Sequence, residues 1–359
     1  MYGRFHFGWS PLKALIDDRY QYINASREEL YDLRHDAGQQ RNIVDSLPKV
    51  RDAMRSTLAQ RFTPIVADGE LADPKDKTAV FETYRAAVDA AAEYKWTDAI
   101  GLMQQVARDE PELPHVWDTL AAWNAQIERF DRSLDAYRHH IAVAPSEPAA
   151  YLGAAHSLWR LKKLKEAREQ AAIALDLADE KDSRSRGTAH ELLARIALAS
   201  RDFDQARAEA LAAEDADSAT PMTAFVEARI LYEQGKFDEA MPWFEQAIAQ
   251  ARHPKARPVA DLHYYAGDTL ARLERYHDAE AAFSEELRLF PFSGRARAGL
   301  ATVYQTTDRR EAAEPMVREM LRIAPGPEAY AVATRFFTSL GRRQDADAVR
   351  ADARRMAKH

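Results

Sequence analysis

AFVEARILYEQGKFDEAMPWFEQAIAQA, residues 224–251, decides the fold. Two helix-length amphipathic stretches flank the short polar turn Gln234-Gly235-Lys236. Ala228 and Ala240 are small where their neighbours are bulky, and Phe237 stands three residues before Ala240. Two antiparallel helices approach closely only where facing side chains are small, and a large neighbour then fills the adjoining hole. The arrangement recurs. The first small site reads Ala87, Ala121, Ala155, Ala194, Ala228, Gly267, Ala301 and Thr334, at steps of 34, 34, 39, 34, 39, 34 and 33 residues. The second reads Ala99, Ser133, Ala167, Ala206, Ala240, Ala279, Ala313 and Ala346. The bulky site reads Trp96, Phe130, Leu164, Phe203, Phe237 and Tyr276, then becomes Arg310 and Arg343 in the last two frames. Terminal repeats bury less, so polar substitution there is expected. The longer steps carry extra loop residues near 181–186 and 252–258. Pro111, Pro145, Pro291 and Pro325 close frames, where a proline stops a helix cheaply.

A helical hairpin repeated at this period marks a stacked solenoid rather than a non-repetitive bundle. The series resembles the tetratricopeptide repeat over residues 78–359. The expected fold is mainly α: a tetratricopeptide (TPR)-type α-solenoid of about eight helical hairpins, preceded by a small α+β segment. The resemblance implies that the first helices line a concave groove that holds a protein or peptide. In that frame the sites beside the packing positions point into the groove. They are His156, Trp159 and Arg160; Glu191 and Arg195; Phe225, Arg229 and Tyr232; Tyr264, Asp268 and Arg272; and Arg295. His156, Arg195 and Arg229 hold one site in three successive frames and are expected to form a row. Aromatic rings beside arginines suit a peptide with acidic and apolar side chains. Ordinary solvated arginines are the alternative. The row has neither the lysines nor the asparagines of the family's carboxylate clamp, so that recognition is not expected here.

The front of the chain differs. Arg4-Phe5-His6-Phe7 and Arg19-Tyr20-Gln21-Tyr22-Ile23 alternate with the period of a strand. Ser10-Pro11, Asp17-Asp18 and Asn24-Ala25-Ser26 are turn material, and Leu30–Leu33 is β-prone. Residues 47–62 form an expected helix with Ser46 as cap and Pro48 in its first turn. Residues 63–77, with Pro64, Gly69 and Pro74, are expected to link this segment, 1–62, to the solenoid, 78–359. The runs Arg19–Ile23, Glu29-Leu30-Tyr31-Asp32-Leu33 and Asp36-Ala37-Gly38-Gln39 to Asn42-Ile43 resemble the C-terminal tail of bacterial sulfatases, as do Phe7-Gly8-Trp9-Ser10 and Leu15. Ala37 and Gln39 depart from the family's usual Pro and Glu. The role expected of the segment is structural: Tyr31 and Leu33 on one side of a strand, Asp36 and Gly38 in the turn, Asn42 capping or bridging it. The resemblance implies two rival functions. The chain is an interaction scaffold, or it is the non-catalytic portion of a sulfuric ester hydrolase. A third possibility is an array that serves only for dimerisation.

Catalysis by the chain itself is not expected. A sulfatase nucleophile needs C/S-x-P-x-R and an acidic metal cluster. Ser46-Leu47-Pro48-Lys49-Val50 places its arginine one residue late, at Arg51, where a helix begins. His6 would lie near the substrate pocket of an intact sulfatase, but on a short strand a structural histidine is the plainer alternative. His190-Glu191-Leu192-Leu193-Ala194 lacks the second histidine of a zincin, Gly235-Lys236 lacks an upstream glycine, and the adjacent His139 and His140 cannot easily share a metal. Asn24-Ala25-Ser26 fits a glycosylation acceptor, a weak pattern. No metal or cofactor is expected.

The composition bounds the rest. With 359 residues, 46% of them hydrophobic, the chain can bury a core, and its net charge is -7. Residues 1–64 hold 10 Lys/Arg and 8 Asp/Glu, which leaves 40 against 49 for the remainder. No basic footprint for nucleic acid results. The absence of cysteine removes disulfides and thiolate chemistry and leaves the compartment open. MYGRFHFGWSPLK lacks the apolar core of a signal peptide, and no stretch is long and apolar enough for membrane insertion. The default expectation is cytoplasmic, or periplasmic if the chain is part of an exported sulfatase.

Overall fold

The computed structural model describes residues 12–61, 73–217, 220–254 and 256–356. The expected strand at residues 4–7, His6 and most of the expected linker lie outside these. Two compact units result: one takes in the described residues up to Asp89 together with Gly101–Val116, the other Ala90–Ile100 and everything from Trp117 onward.

The first unit opens with an antiparallel meander, β1 (Lys13–Ile16), β2 (Tyr20–Asn24) and β3 (Glu29–Asp32), followed by α1 (Pro48–Arg61). Strand β1 carries no sequence period strong enough to announce it. Tyr22 pairs with Leu15 on one side and Leu30 on the other. Tyr22 and Leu30 are fully buried and meet Met54 and Leu58 of α1. Alternation thus turns the apolar face of the sheet onto one stripe of a helix. Asp36 accepts from the backbone N–H of Gln40 and Arg41. Gln39, not Gly38, takes the left-handed conformation in this turn. Asn42 bridges: its side-chain oxygen accepts from the N–H of Leu30 and Val44, and its amide donates to the Glu28 carbonyl. Leu30 supplies the buried side chain of β3 and Tyr31 is half-buried, whereas Leu33, expected on the same strand face as Tyr31, falls in the turn after β3. A short 3-10 turn, Pro74–Lys77, is capped by Asp73, and Lys75 pairs with Glu29 at 2.6 Å.

The remaining helices come in pairs along the chain: α2 (Thr78–Ala92), α3 (Trp96–Asp109), α4 (Pro114–Gln126), α5 (Phe130–Val143), α6 (Pro148–Arg160), α7 (Leu164–Leu177), α8 (Ser183–Ala199) and α9 (Phe203–Ala216). Then follow α10 (Met222–Glu233), α11 (Phe237–Ala251), α12 (Leu262–Arg272), α13 (Tyr276–Leu289), α14 (Gly294–Thr306), α15 (Arg310–Ile323), α16 (Pro327–Ser339) and α17 (Arg343–Met356). In the second unit each helix from α5 onward packs on the next, which makes a solenoid. Its small sites are sealed: Ala155, Ala167, Ala194, Ala206, Ala228, Ala240 and Ala279 are fully buried. Gly267 and Gly299 both face the Phe283 ring. An added methyl would come within 2.9 and 2.5 Å of it.

Every hairpin turns through one residue with positive φ: Tyr94, Glu128, Lys162, Arg201, Gly235, Glu274, Asp308 and Gly341. Their spacing repeats that of the small sites. Six of these eight turns therefore place an L side chain where glycine is at ease.

The second unit closes on itself. Trp96 donates its indole N–H to the Ile323 carbonyl (2.9 Å), and Arg129 donates to the Met356 carbonyl (2.7 Å). Glu128 accepts from the Glu328 N–H (3.0 Å). Tyr94 and Trp96 lie edge-on to Phe292, and the Arg322 guanidinium covers Tyr94. No helix among the described residues is long and apolar enough to cross a membrane.

Candidate functional site

A cavity of about 600 Å³ lies on the concave side of the second unit. Helices α6 and α8 wall one side, with Leu152, His156, Trp159 and Arg160 from the first and Glu191, Leu192 and Arg195 from the second. Arg295 of α14, Phe292, Met320, Glu328 and Val332 wall the other. Six of the sequence-derived groove residues therefore converge: His156, Trp159, Arg160, Glu191, Arg195 and Arg295. Tyr264 and Asp268 line a neighbouring recess of about 400 Å³, together with Arg295 and Glu328. Phe225 does not reach a surface. It is fully buried in the core, with the Arg195 guanidinium 5.1 Å above its ring. Arg229 and Tyr232 border neither opening. Arg229 lies 3.5 Å over the Tyr265 ring, and Tyr232 donates to Asp268 (2.5 Å). Arg272 is half exposed and binds Asp268 at 2.6 Å.

The expected row of arginines is partly neutralised by the chain itself. Arg195 is 7% exposed; it binds Glu191 at 3.0 Å and the Ala260 carbonyl at 2.8 Å. Burial disfavours its charge, but Glu191 and Asp261 outweigh this and hold its pKa above the usual value. Arg229 is tied to Glu233 at 2.8 Å. Arg160 and Arg295 differ. Arg160 is 3.7 Å from Glu128, and Arg295 is 3.9 Å from both Asp261 and Glu328. These pairs are too long for hydrogen bonds, so among the described residues both guanidinium groups keep donors uncommitted. Burial, then the charge of Arg295, lowers the Arg160 pKa, whereas Asp261 helps to raise that of Arg295 against burial.

His156 is pushed down to about 4, first by burial and then by Arg160 and Arg195. It is neutral at neutral pH. The Trp159 indole nitrogen is buried and has no hydrogen-bond partner among the described residues. A buried donor left unmade costs about 1–3 kcal/mol, so an acceptor brought beside it recovers that cost.

Four lining carboxylates escaped the sequence frame: Glu128, Asp261, Glu286 and Glu328. None occupies the site beside a first-helix packing position. Glu128 and Asp261 sit at left-handed backbone positions in loops. Glu286 reaches over from α13 and accepts from the N–H groups of Asp261, His263 and Tyr264, capping α12. Burial pushes its pKa up to about 7 against those bonds. The lining holds three arginines and five carboxylates, so the cavity is not a basic one. Among the described residues no group of three acidic or histidine side chains is placed to hold a metal ion.

Stacked helical hairpins with a lined concave side define a helical-repeat solenoid. Residues 191–257 and 264–326 match the family model for the tetratricopeptide repeat. The crystal structure of yeast Tom70 is similar at 15% identity, covering 85% of this chain and 61% of that one, with a TM-score of 0.52. A tetratricopeptide repeat protein from Parabacteroides merdae is 12% identical, covers 68% of this chain and 93% of its own, and has a TM-score of 0.44. YrrB, described as a TPR protein with an unusual peptide-binding site, is 20% identical over 54% of this chain and 95% of its own, with a TM-score of 0.32. No curated protein matches the sequence.

Proposed function

We propose that the second unit is a docking module for a protein or peptide segment, taken into the concave cavity between α6, α8 and α14. The observation that carries this is the pair Arg160 and Arg295, half-buried in one cavity with uncommitted donors. A partner carboxylate between them would make charge-assisted hydrogen bonds where little water competes. A carbonyl beside the Trp159 indole would satisfy its free N–H, and an apolar side chain would rest on Leu152, Leu192 and Val332. The acidic preference thus rests on two arginines rather than on the whole row. Selection of a displayed random peptide library on the purified chain tests this. Selected peptides should bind Arg160→Gln and Arg295→Gln about tenfold more weakly and Arg288→Gln as tightly as the parent. Undiminished binding to the Arg160→Gln/Arg295→Gln double variant would remove the cavity from consideration.

A second reading draws on the first unit. The Leu30-Tyr31-Asp32 end of β3, the turn at Leu33 and the Asn42 bridge support a role as the scaffold end of a sulfuric ester hydrolase. In that reading the chain alone turns over no aryl sulfate, with or without calcium, and gains a role only beside a domain carrying the nucleophile.

A further inference from the structure

A second recess, of about 610 Å³, lies at the closure seam of the second unit and shares no lining residue with the concave cavity. Arg129, Arg335, Arg350 and Arg354 line it, and among the described residues no acidic side chain does. Only one of the four is held by a carboxylate: Arg350 pairs with Asp347 of its own helix at 2.6 Å. Arg129 is half-buried, and its hydrogen bond goes to the Met356 carbonyl. Among the described residues no hydrogen bond or ion pair holds the exposed Arg335 and Arg354. Asp352, near Tyr330, is bound to Arg355. The floor is apolar: Ile127, Pro325, Pro327, Ala331 and the Tyr330 ring.

A solvated arginine cluster would not by itself mark a site. Here the cations stand around a concave apolar floor, on three separate elements: the turn before α5, helix α16 and helix α17. In a chain of net charge -7 this lining is a local excess of positive charge, four arginines with one carboxylate partner among the described residues. Three guanidinium forks spaced on three elements suit two separate carboxylates better than one compact ion. The Pro325–Pro327–Tyr330 wall suits a flat apolar side chain between them. We propose that this recess binds an acidic peptide segment in which an apolar side chain lies between two carboxylates. The site forms only when residues 127–129 meet residues 325–356, so occupancy also favours closure of the solenoid. The proposal is independent of the concave cavity.

Titration calorimetry at low salt, with the full chain, tests it. The probes are N-acetyl-Asp-Phe-Asp-amide, its uncharged isostere N-acetyl-Asn-Phe-Asn-amide, and phenyl phosphate. The acidic peptide should bind at least about tenfold more tightly than the isostere. That preference should vanish in Arg335→Gln/Arg354→Gln and survive in Arg310→Gln and in Arg160→Gln. Both arginines of the first variant are exposed, so folding should not suffer; its far-ultraviolet circular dichroism checks this. Equal binding of the two peptides, or an undiminished preference in the double variant, overturns the proposal. Binding of phenyl phosphate without the peptide overturns it in favour of a phosphate site. Loss of the preference in Arg160→Gln alone would move the peptide to the concave cavity instead.

Discussion

Lys162 shows what one residue contributes to this array. It follows the first helix of its hairpin at φ 62°, is exposed, and among the described residues bonds only through its backbone. An L residue in that conformation costs roughly 1–2 kcal/mol, part of which glycine returns as lost chain entropy. Lys162→Gly should therefore leave the chain as stable or up to about 1 kcal/mol more stable. Lys165→Gly, three residues on inside α7, should cost about 1 kcal/mol. Urea midpoints that move down equally in both would show that the turn does not need a left-handed residue. His156 works through charge. Its folded pKa, about 4, lies below the ordinary value near 6.5, so between those values the unfolded chain binds more protons. The contribution of His156 is intact above about pH 6.5 and is lost as pH falls towards 4, on the order of 3 kcal/mol in full. Glu286, raised to about 7, acts in the opposite sense: its folded form takes up a proton as pH falls from 7. Comparing the parent with His156→Gln at pH 7 and 4.5 isolates the histidine. The variant should lose less stability over that interval, and parallel losses would contradict a buried neutral imidazole.

At the scale of helices, Ala240 carries the repeat logic. It is fully buried on α11, within a cluster that includes Ala206, Ala228 and Phe244. Overpacking such a site costs roughly 1–3 kcal/mol. Ala240→Leu should melt well below the parent, while the exposed Lys236→Ala should not. Matching melts would argue that no helix crosses there. This layer was legible because hairpin packing is written locally: the same small and large residues return at a fixed step. The turns were only half legible. Gly235 and Gly341 announce themselves, but Tyr94, Glu128, Lys162, Arg201, Glu274 and Asp308 adopt the same conformation with no residue signal. Helix geometry imposes it on whatever residue stands there. Strand β1 lies within the strand-like front of the chain but was not singled out, for a related reason. Lys13-Ala14-Leu15-Ile16 lacks clean alternation, and its pairing with β2 defines it. The cavity was legible on one wall. His156, Trp159, Arg160, Glu191, Arg195 and Arg295 follow from the frame, whereas Glu128, Asp261, Glu286 and Glu328 arrive from loops and other helices. Phe225 shares the helix of Arg229 but turns inward, because a frame fixes height along the stack more firmly than depth.

For the second unit as a whole, closure is the property that no single frame encodes. Trp96 and Arg129 belong to early hairpins, and Ile323, Glu328 and Met356 to the last ones. Their meeting depends on the summed rotation of the intervening hairpins. The seam is held by few groups, chiefly the Trp96 indole bond, the Glu128 bond to Glu328 and the Arg129 bond to Met356. Each such hydrogen bond contributes about 1 kcal/mol, and where the bond is buried, as at Trp96, a stranded partner costs about 1–3 kcal/mol. Losing one should therefore shift the seam towards open forms without unfolding the stack, since nearest-neighbour packing carries most of the stability of a solenoid. The chain has no cysteine, so cysteines placed at Arg132 and Arg355, both exposed and close to the seam, accept spin labels cleanly. The labelled parent should give a narrow distance distribution. Trp96→Phe keeps an aromatic ring against Phe292 but loses the N–H, and should broaden the distribution towards longer distances with little change in helix content. Glu128→Ala should do the same by freeing the start of α16. If both distributions stay as narrow as the parent's, the aromatic contacts of Tyr94, Phe292 and Arg322 hold the seam alone. The hydrogen bonds would then be passengers of a closure already fixed by packing.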